Sequence, residues 1–417
     1  MTDNKKLKRD EIELIRMAKE TQIIYEDLSI LDMPQPFWEI FYEYLPKNNF
    51  YKTCKKAIKI QQTHNDTLIV DIDNNFNLIP TRHSLDLNSL VKYYPNLQNL
   101  TLSGYNLLND VRFTGEHTKY LTRLKNLNLS NCSIFGPNIF REPWCKYLIS
   151  LNLSNTDWNY DYITEDYEMG RRPQVYNLVG ISNCSRLKEL SLGGYICLNN
   201  DDLLEICQMT QLVKLNISQF LEYDDIPDGL KERCCFQQEA VEALTQLQSL
   251  EDLSMACCVQ IEERGFGWLA KMTNLKTLSL GKTRINHQGG GLQALRHLTS
   301  LRNLSIGENI SESMNEEHFD GFIHAAGNLT QIRHLCIAGT CYMNQNNIIF
   351  PKWTAFKNLN SICLAGWEKE MSDQLPKIME NQQIEKIYLL DTSEFESKLT
   401  RPVELCLNCR TTCFYHG

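Results

Sequence analysis

No stretch of this sequence reaches the roughly eighteen uncharged apolar residues that a membrane-spanning helix needs. Its opening segment, dense in Lys, Asp and Glu, has no apolar run of the signal-peptide kind. The expectation is a soluble chain, cytoplasmic or nuclear, with no membrane partner. Cations are also outnumbered: 42 Lys and Arg stand against 51 Asp and Glu, a formal net charge of −9. Phosphate neutralisation requires clustered Lys and Arg, so a general nucleic-acid binder is excluded. Only short basic clusters occur, from Lys5 and from Lys52. The signatures of catalysis are missing too. There is no nucleophile elbow and no His-Glu-x-x-His sequence, and Gly289-Gly290-Gly291 lacks the Lys-Ser/Thr that completes a phosphate loop. The expectation is a non-enzyme without a cofactor.

Cysteine, by contrast, is plentiful at sixteen residues. In a chain of 417 residues a sizeable core forms without staples, and the cysteines are spread along its whole length, so reduced and mostly buried thiols are expected rather than a disulfide framework. At the C-terminus Cys406, Cys409, Cys413 and His416 have a spacing that four zinc ligands in one tight turn would need. Leu405 and Leu407 around the first of them also read as a last strand, and cysteines in a C-terminal cap remain the alternative.

What dominates the sequence is a recurrence. Leu-x-x-Leu-x-Leu, or a close variant, begins at Leu97, Leu124, Leu148, Leu187, Leu212, Leu250, Leu275, Leu301, Ile332, Leu359 and Ile384, and a degenerate copy ends at Leu407. Most intervals are 24 to 31 residues, with two of 38 and 39. The inner Leu-x-Leu has the period of two that points alternate side chains to one face, so each unit opens with a short strand. Helical spacing follows in several units, from Asp201, Gln237, Glu263, Gly290 and Glu316. One unit cannot bury its own apolar face, so neighbours must stack.

This pattern resembles the leucine-rich-repeat family, in its cysteine-containing and ribonuclease-inhibitor-like forms. The resemblance implies an α/β leucine-rich-repeat solenoid, a horseshoe with a concave parallel sheet and convex helices, preceded by a small helical N-terminal region. The expected organisation is a charged segment over 1–24, helices over 25–62, a linker or cap over 63–92, and about eleven to twelve repeats over 93–417. Family members often carry Asn or Cys three residues beyond the last strand leucine, where a short polar group satisfies backbone amides. Cys132, Cys258 and Asn309 match, with Thr156, Thr283, Thr340 and Thr392 as polar alternatives; Tyr105, Tyr195, Phe220 and Trp367 depart from the pattern.

The N-terminal region reads as two short helices. Pro34 and Pro36 can open the first without losing an intrahelical hydrogen bond, and an apolar stretch runs from Phe37 to Leu45; the second spans about Asn49 to Ile60. Such helices must bury their apolar faces, against the first repeat as a cap or against another protein. Leu31, Pro34, Ile40, Leu45, Cys54 and Lys55 resemble an F-box, which docks the Skp-type adaptor of a cullin ubiquitin ligase. Phe50, Cys54 and Ile58, at i, i+4 and i+8, resemble the elongin-binding box of another ligase class. Either resemblance implies a ligase substrate receptor that brings a target to a ubiquitin-loaded enzyme and does no bond chemistry itself. A plain scaffold or inhibitor, and a GTPase-activating protein on the same fold, are the other readings.

Strand alternation places the target-binding residues on the concave face: Asn126, Asn128, Glu189, Lys214, Asp252, Asn303, His334, Lys386 and Tyr388. Polar and mixed in charge, they suit a protein better than an apolar ligand. The longer intervals hold insertions, and the first carries Trp158, Tyr162, Arg171 and Arg172, residue types that anchor interfaces when displayed on loops.

Overall fold

The computed structural model describes residues 58–64, 67–72, 85–86, 96–103, 111–112, 122–130, 140, 143–155, 178, 180–194, 198–218, 238–256, 263–281, 283, 294–307, 329–338, 353, 356–365, 375–389 and 404–406. The chain forms two compact units, Met1–Leu187 and Lys188–Gly417.

In the first unit, β1 (Ile58–His64) and β2 (Thr67–Ile72) pair antiparallel, with an irregularity between Gln62 and His64. Further along lie β3 (Leu85–Asp86), β4 (Asn99–Ser103), β5 (Val111–Arg112), β6 (Asn126–Asn128) and β7 (Ser150–Asn152). Strands β2, β4, β6 and β7 make consecutive parallel pairs, while β3 and β5 pair apart from them. The expected helix over Asn49 to Ile60 is therefore corrected at its end, since Ile58 to Ile60 belong to β1 and Ile58 faces Ile72 in register. Strand pairing with 67–72 overrides the local helical spacing there. Strand β2 also places sheet within the segment expected as linker or cap.

The second unit alternates β8 (Glu189–Ser191), α1 (Asn200–Cys207), β9 (Lys214–Asn216), α2 (Gln238–Ala243), β10 (Asp252–Ser254), α3 (Glu263–Leu269) and β11 (Thr277–Ser279). It continues with β12 (Asn303–Ser305), β13 (His334–Cys336), β14 (Ser361–Cys363), α4 (Leu375–Ile378), β15 (Lys386–Tyr388) and β16 (Glu404–Cys406). Strands β8 to β16 form consecutive parallel pairs in a register that sets each central strand leucine beside the next: Leu190, Leu215, Leu253, Leu278, Leu304, Leu335, Ile362, Ile387, Leu405. The fold is a leucine-rich-repeat stack. The helices are short, and in two repeats 3-10 turns, Leu244–Gln246 and Leu295–His297, lead toward the next strand. Helix α2 packs beside both α1 and α3.

Helix α1 shows why these brief helices hold. Its cap residue Asn199 accepts from the Asp202 amide at 2.9 Å, and Asp202 accepts from the Asn199 amide at 3.2 Å, so the buried Asp202 carboxylate has partners. Asp201 and Asp202 also place negative charge at the helix's positive end. Leu203, Ile206 and Cys207 form its buried side.

The core is the leucine ladder itself. The first motif position and the first strand leucine or isoleucine are buried in every repeat from Leu97 to Ile384, and the second strand position is buried from Leu129 to Leu389. Each such side chain contributes about 1.5–3 kcal/mol by leaving water. A tight turn delivers the chain to each ladder position: the amides of Leu148, Leu187, Leu212, Leu250, Leu275, Leu301, Ile332 and Leu359 all donate to the carbonyl three residues earlier. The acceptor residue is buried and apolar in these repeats, for example Met209, Leu247 and Phe356. In the repeat ending at Ile384 it is Asn381, buried and polar.

Asn381 fits because its side chain is saturated. Nδ2 donates to the carbonyls of Trp353 at 2.9 Å and Phe356 at 2.8 Å in the preceding repeat, and Oδ1 accepts from the Gln383 amide at 3.0 Å. Exposed asparagines make the same reach backward elsewhere: Asn274 to the Gln248 carbonyl at 2.8 Å, and Asn358 to that of Thr330. Thr283, one of the polar alternatives at the turn, is buried and its hydroxyl donates to the Leu280 carbonyl at 2.7 Å. Cys132, Cys258, Asn309, Thr156, Thr340 and Thr392 lie outside the described residues.

Replacing Asn381 by Leu keeps the volume but removes three side-chain hydrogen bonds, to the carbonyls of Trp353 and Phe356 and from the Gln383 amide, so urea unfolding should show a loss of about 2–4 kcal/mol. Gln382→Ala, at an exposed neighbour, should change the midpoint little. A loss for N381L no larger than for Q382A would show that Asn381 does not brace the two repeats.

Candidate protein-binding face

A three-residue strand leaves its first and third side chains on the sheet face opposite the leucine core. In the first unit these are Asn126 and Asn128 on β6 and Ser150 and Asn152 on β7. Asn126 donates through Nδ2 to Asn99 Oδ1 on β4. Asn128 turns its carboxamide oxygen onto the Ser130 amide at 2.9 Å, and Asn152 does the same for Ser154 at 2.9 Å. One end of the Asn128 side chain thus shapes the strand's exit.

In the second unit Glu189, Lys214 and Asp252 are direct register partners on β8, β9 and β10. Lys214 Nζ lies 2.9 Å from Glu189 Oε1, both side chains about half exposed. That hydrogen bond and the glutamate's charge raise the Lys214 pKa. The Asp252 pKa is raised as well: burial is the larger cause, Lys214 opposes it, and Glu189 reinforces it. Polar bonds tie the strands across the same face. Asn216 donates to Ser191 Oγ at 3.2 Å, the Ser218 and Ser254 hydroxyls are 2.7 Å apart, and Asn303 donates to Thr277 Oγ1 at 3.2 Å. These side chains are held in place before any partner arrives.

Toward the C-terminal strands the face changes character. His334, expected to be displayed, is only 6% exposed: its Nδ1 is 2.8 Å from Ser361 Oγ, and the Tyr388 ring meets it edge-on at 5.7 Å and 81°. Tyr388 also packs on Cys336, Ala338, Cys363 and Ala365, all buried. Small side chains on β13 and β14 leave room for the tyrosine, so His334 is corrected from contact residue to part of a sealed patch. Lys386 and Tyr388 remain half-buried.

Five cysteines, Cys145, Cys184, Cys207, Cys336 and Cys363, are buried free thiols. Burial pushes the Cys207 pKa up to about 12, which keeps it protonated and unreactive. Cys406 lies in β16, while Cys409, Cys413 and His416 fall outside the described residues. Leu31, Pro34, Ile40, Leu45, Phe50 and Cys54 fall outside them too, as do Trp158, Tyr162, Arg171 and Arg172. No described helix is long and apolar enough to cross a membrane.

One feature missed in the strand alternation lies at the strands' opening edge in the first unit. Asn96, Gln98, Thr122, Arg123, Lys125, Tyr147, Ile149 and Arg186 line an open concavity of about 480 Å³. Most of these residues come immediately before or after a motif's first leucine, a position that becomes visible only when the repeats are aligned on that leucine.

No family model matches the sequence, and no curated protein matches it. Among solved structures, the chain is similar to an internalin (inlF) from Listeria monocytogenes. The likeness covers 82% of this chain and 86% of that one, at 17% sequence identity and a TM-score of 0.43.

The raised Asp252 pKa has a stability consequence. The folded state holds this proton more tightly than the unfolded chain, so ionisation costs stability as pH rises through the carboxylate range, and the cost persists above the raised value. Asp252→Asn should therefore be more stable than the parent at pH 7 and level with it at about pH 3, below the ordinary carboxylate range. Urea unfolding at the two pH values measures this; a variant less stable at pH 7 would mean that attraction to Lys214 outweighs burial.

Proposed function

We propose that this chain is a non-catalytic protein-binding scaffold, and more specifically the substrate-recognition subunit of a cullin ubiquitin ligase. The observation that carries the scaffold reading is the cross-strand lacing of Glu189, Ser191, Lys214, Asn216 and Asp252 on the open face. Side chains already fixed by one another lose little entropy on contact, and both signs of charge are offered side by side. A folded protein or peptide with its own alternating charges suits such a face.

The ligase reading rests on the F-box-like residues Leu31, Pro34, Ile40, Leu45, Cys54 and Lys55. Two structural facts favour it over its rivals. Strand β2 is paired by β1 on one side and β4 on the other, so the segment before Ile58 is not needed to pair its backbone. Ile58 opens β1 instead of completing a helical i, i+4, i+8 stripe, which counts against the elongin-type box. A Skp-type adaptor held at 31–55 and a target held on the repeats would raise the local concentration of target lysines at a ubiquitin-loaded enzyme. Such a role belongs in the cytoplasm or nucleus, with 31–55 as the docking module and the repeats as the reader.

Capture of the full chain from cell extract, probed for Skp-type adaptor, elongin and cullins, tests this. Adaptor and cullin should be recovered with the parent chain and lost with an Ile40→Asp, Leu45→Asp variant whose circular dichroism is unchanged. A folded parent that recovers neither adaptor would end the ligase reading and leave the scaffold alone.

A further inference from the structure

The residue just before each motif's first leucine occupies one row along the strand-opening edge. In the first unit the row is Asn96, Arg123, Tyr147 and Arg186; in the second it is Gln211, Ser249, Asn274, Ser300, Gln331, Asn358 and Gln383, without a charge. Cations in this row are thus confined to the first unit. Lys125, one position past the leucine, adds a third to the same concavity.

None of the described lining residues is acidic. Arg123, Lys125 and Arg186 are exposed, and among the described residues neither Lys125 nor Arg186 forms an ion pair. Arg123 donates to Asn96 Oδ1, which orients its guanidinium. Three cations gathered around one concavity repel one another, on a chain whose net charge is −9. An anionic ligand relieves that repulsion.

We infer that this edge docks an acidic segment of a partner protein, with Asp or Glu carboxylates against Arg123, Lys125 and Arg186 and an apolar side chain against Tyr147 and Ile149. Guanidinium groups hold carboxylates by paired, charge-assisted hydrogen bonds. A nucleic acid fits less well, because its affinity comes from a long track of phosphate contacts, and the chain's overall charge opposes a polyanion. Tyr147 and Ile149 also offer a half-buried apolar floor suited to a peptide side chain. The inference rests on the scaffold reading and is independent of adaptor docking, which depends on Ile40 and Leu45.

The test is fluorescence anisotropy with the full chain at low salt, using a labelled peptide of alternating Glu and Leu, its Lys-for-Glu counterpart, and labelled oligothymidine. The acidic peptide should bind and the basic one should not, and binding should weaken as salt rises. An Arg123→Gln, Arg186→Gln variant should bind about tenfold more weakly, while Arg296→Gln, an exposed cation of the second unit, should leave binding unchanged. Circular dichroism confirms that each variant is folded, and Lys125→Gln is the second route if the double variant is not. Loss of binding equal in the Arg296 control, or no acidic-peptide binding by the parent, overturns the inference. Oligothymidine binding tighter than the peptide and lost in the same double variant also overturns it, in favour of a nucleic-acid surface. Adaptor capture unaffected by the Arg123 and Arg186 changes keeps this result separate from the ligase reading.

Discussion

A strand of three residues cannot exist alone, and everything else in this protein depends on how it is compensated. Each such strand from β6 to β15 buries one central leucine or isoleucine and, with the residue after it, two apolar side chains. The backbone bonds it makes are mostly to its neighbours. The carbonyl of Lys188 accepts from both Val213 and Lys214, that of Val213 from Glu251 and Asp252, and that of Arg302 from Arg333 and His334. Register is set by the leucine, because a slip of one residue would exchange the core face for the open one.

From that constraint follows the nature of the open face. Side chains at the first and third strand positions stand beside identical positions on the next strand, so hydrogen bonds and ion pairs form across the repeats. The same geometry yields a charged row at β8–β10 and a sealed thiol and aromatic patch at β13–β15. What differs is side-chain size. Tyr388 can lie over Cys336 and Cys363 because those neighbours are small, while the long side chains of Glu189 and Lys214 reach solvent.

Several polar side chains in the core are bonded by local geometry. Asp202 is capped by Asn199, Thr283 donates to Leu280, and Asn381 spans three backbone groups. The Asn381 carboxamide both donates to carbonyls one repeat back and accepts from the amide two residues on. Asp252 is the contrasting case, a half-buried carboxylate whose neighbouring lysine is bonded to another acid.

The sequence by itself determined the repeat, the strand positions and which leucines form the core, because a period of two inside a period near 25 is a statement about burial that does not depend on what lies across the sheet. Helix signals at Asp201 and Glu263 were legible for the same local reason. Tertiary structure decided the rest. Ile58 left its helical spacing because 67–72 offered strand pairing, and His334 left the surface because a tyrosine two strands away covers it. Arg123, Lys125, Tyr147 and Arg186 came together around one concavity although up to 63 residues separate them in the chain. Such juxtapositions arise from stacking one repeat on the next, and a pattern read along a single chain records period but not which side chain fills the space beside its neighbour.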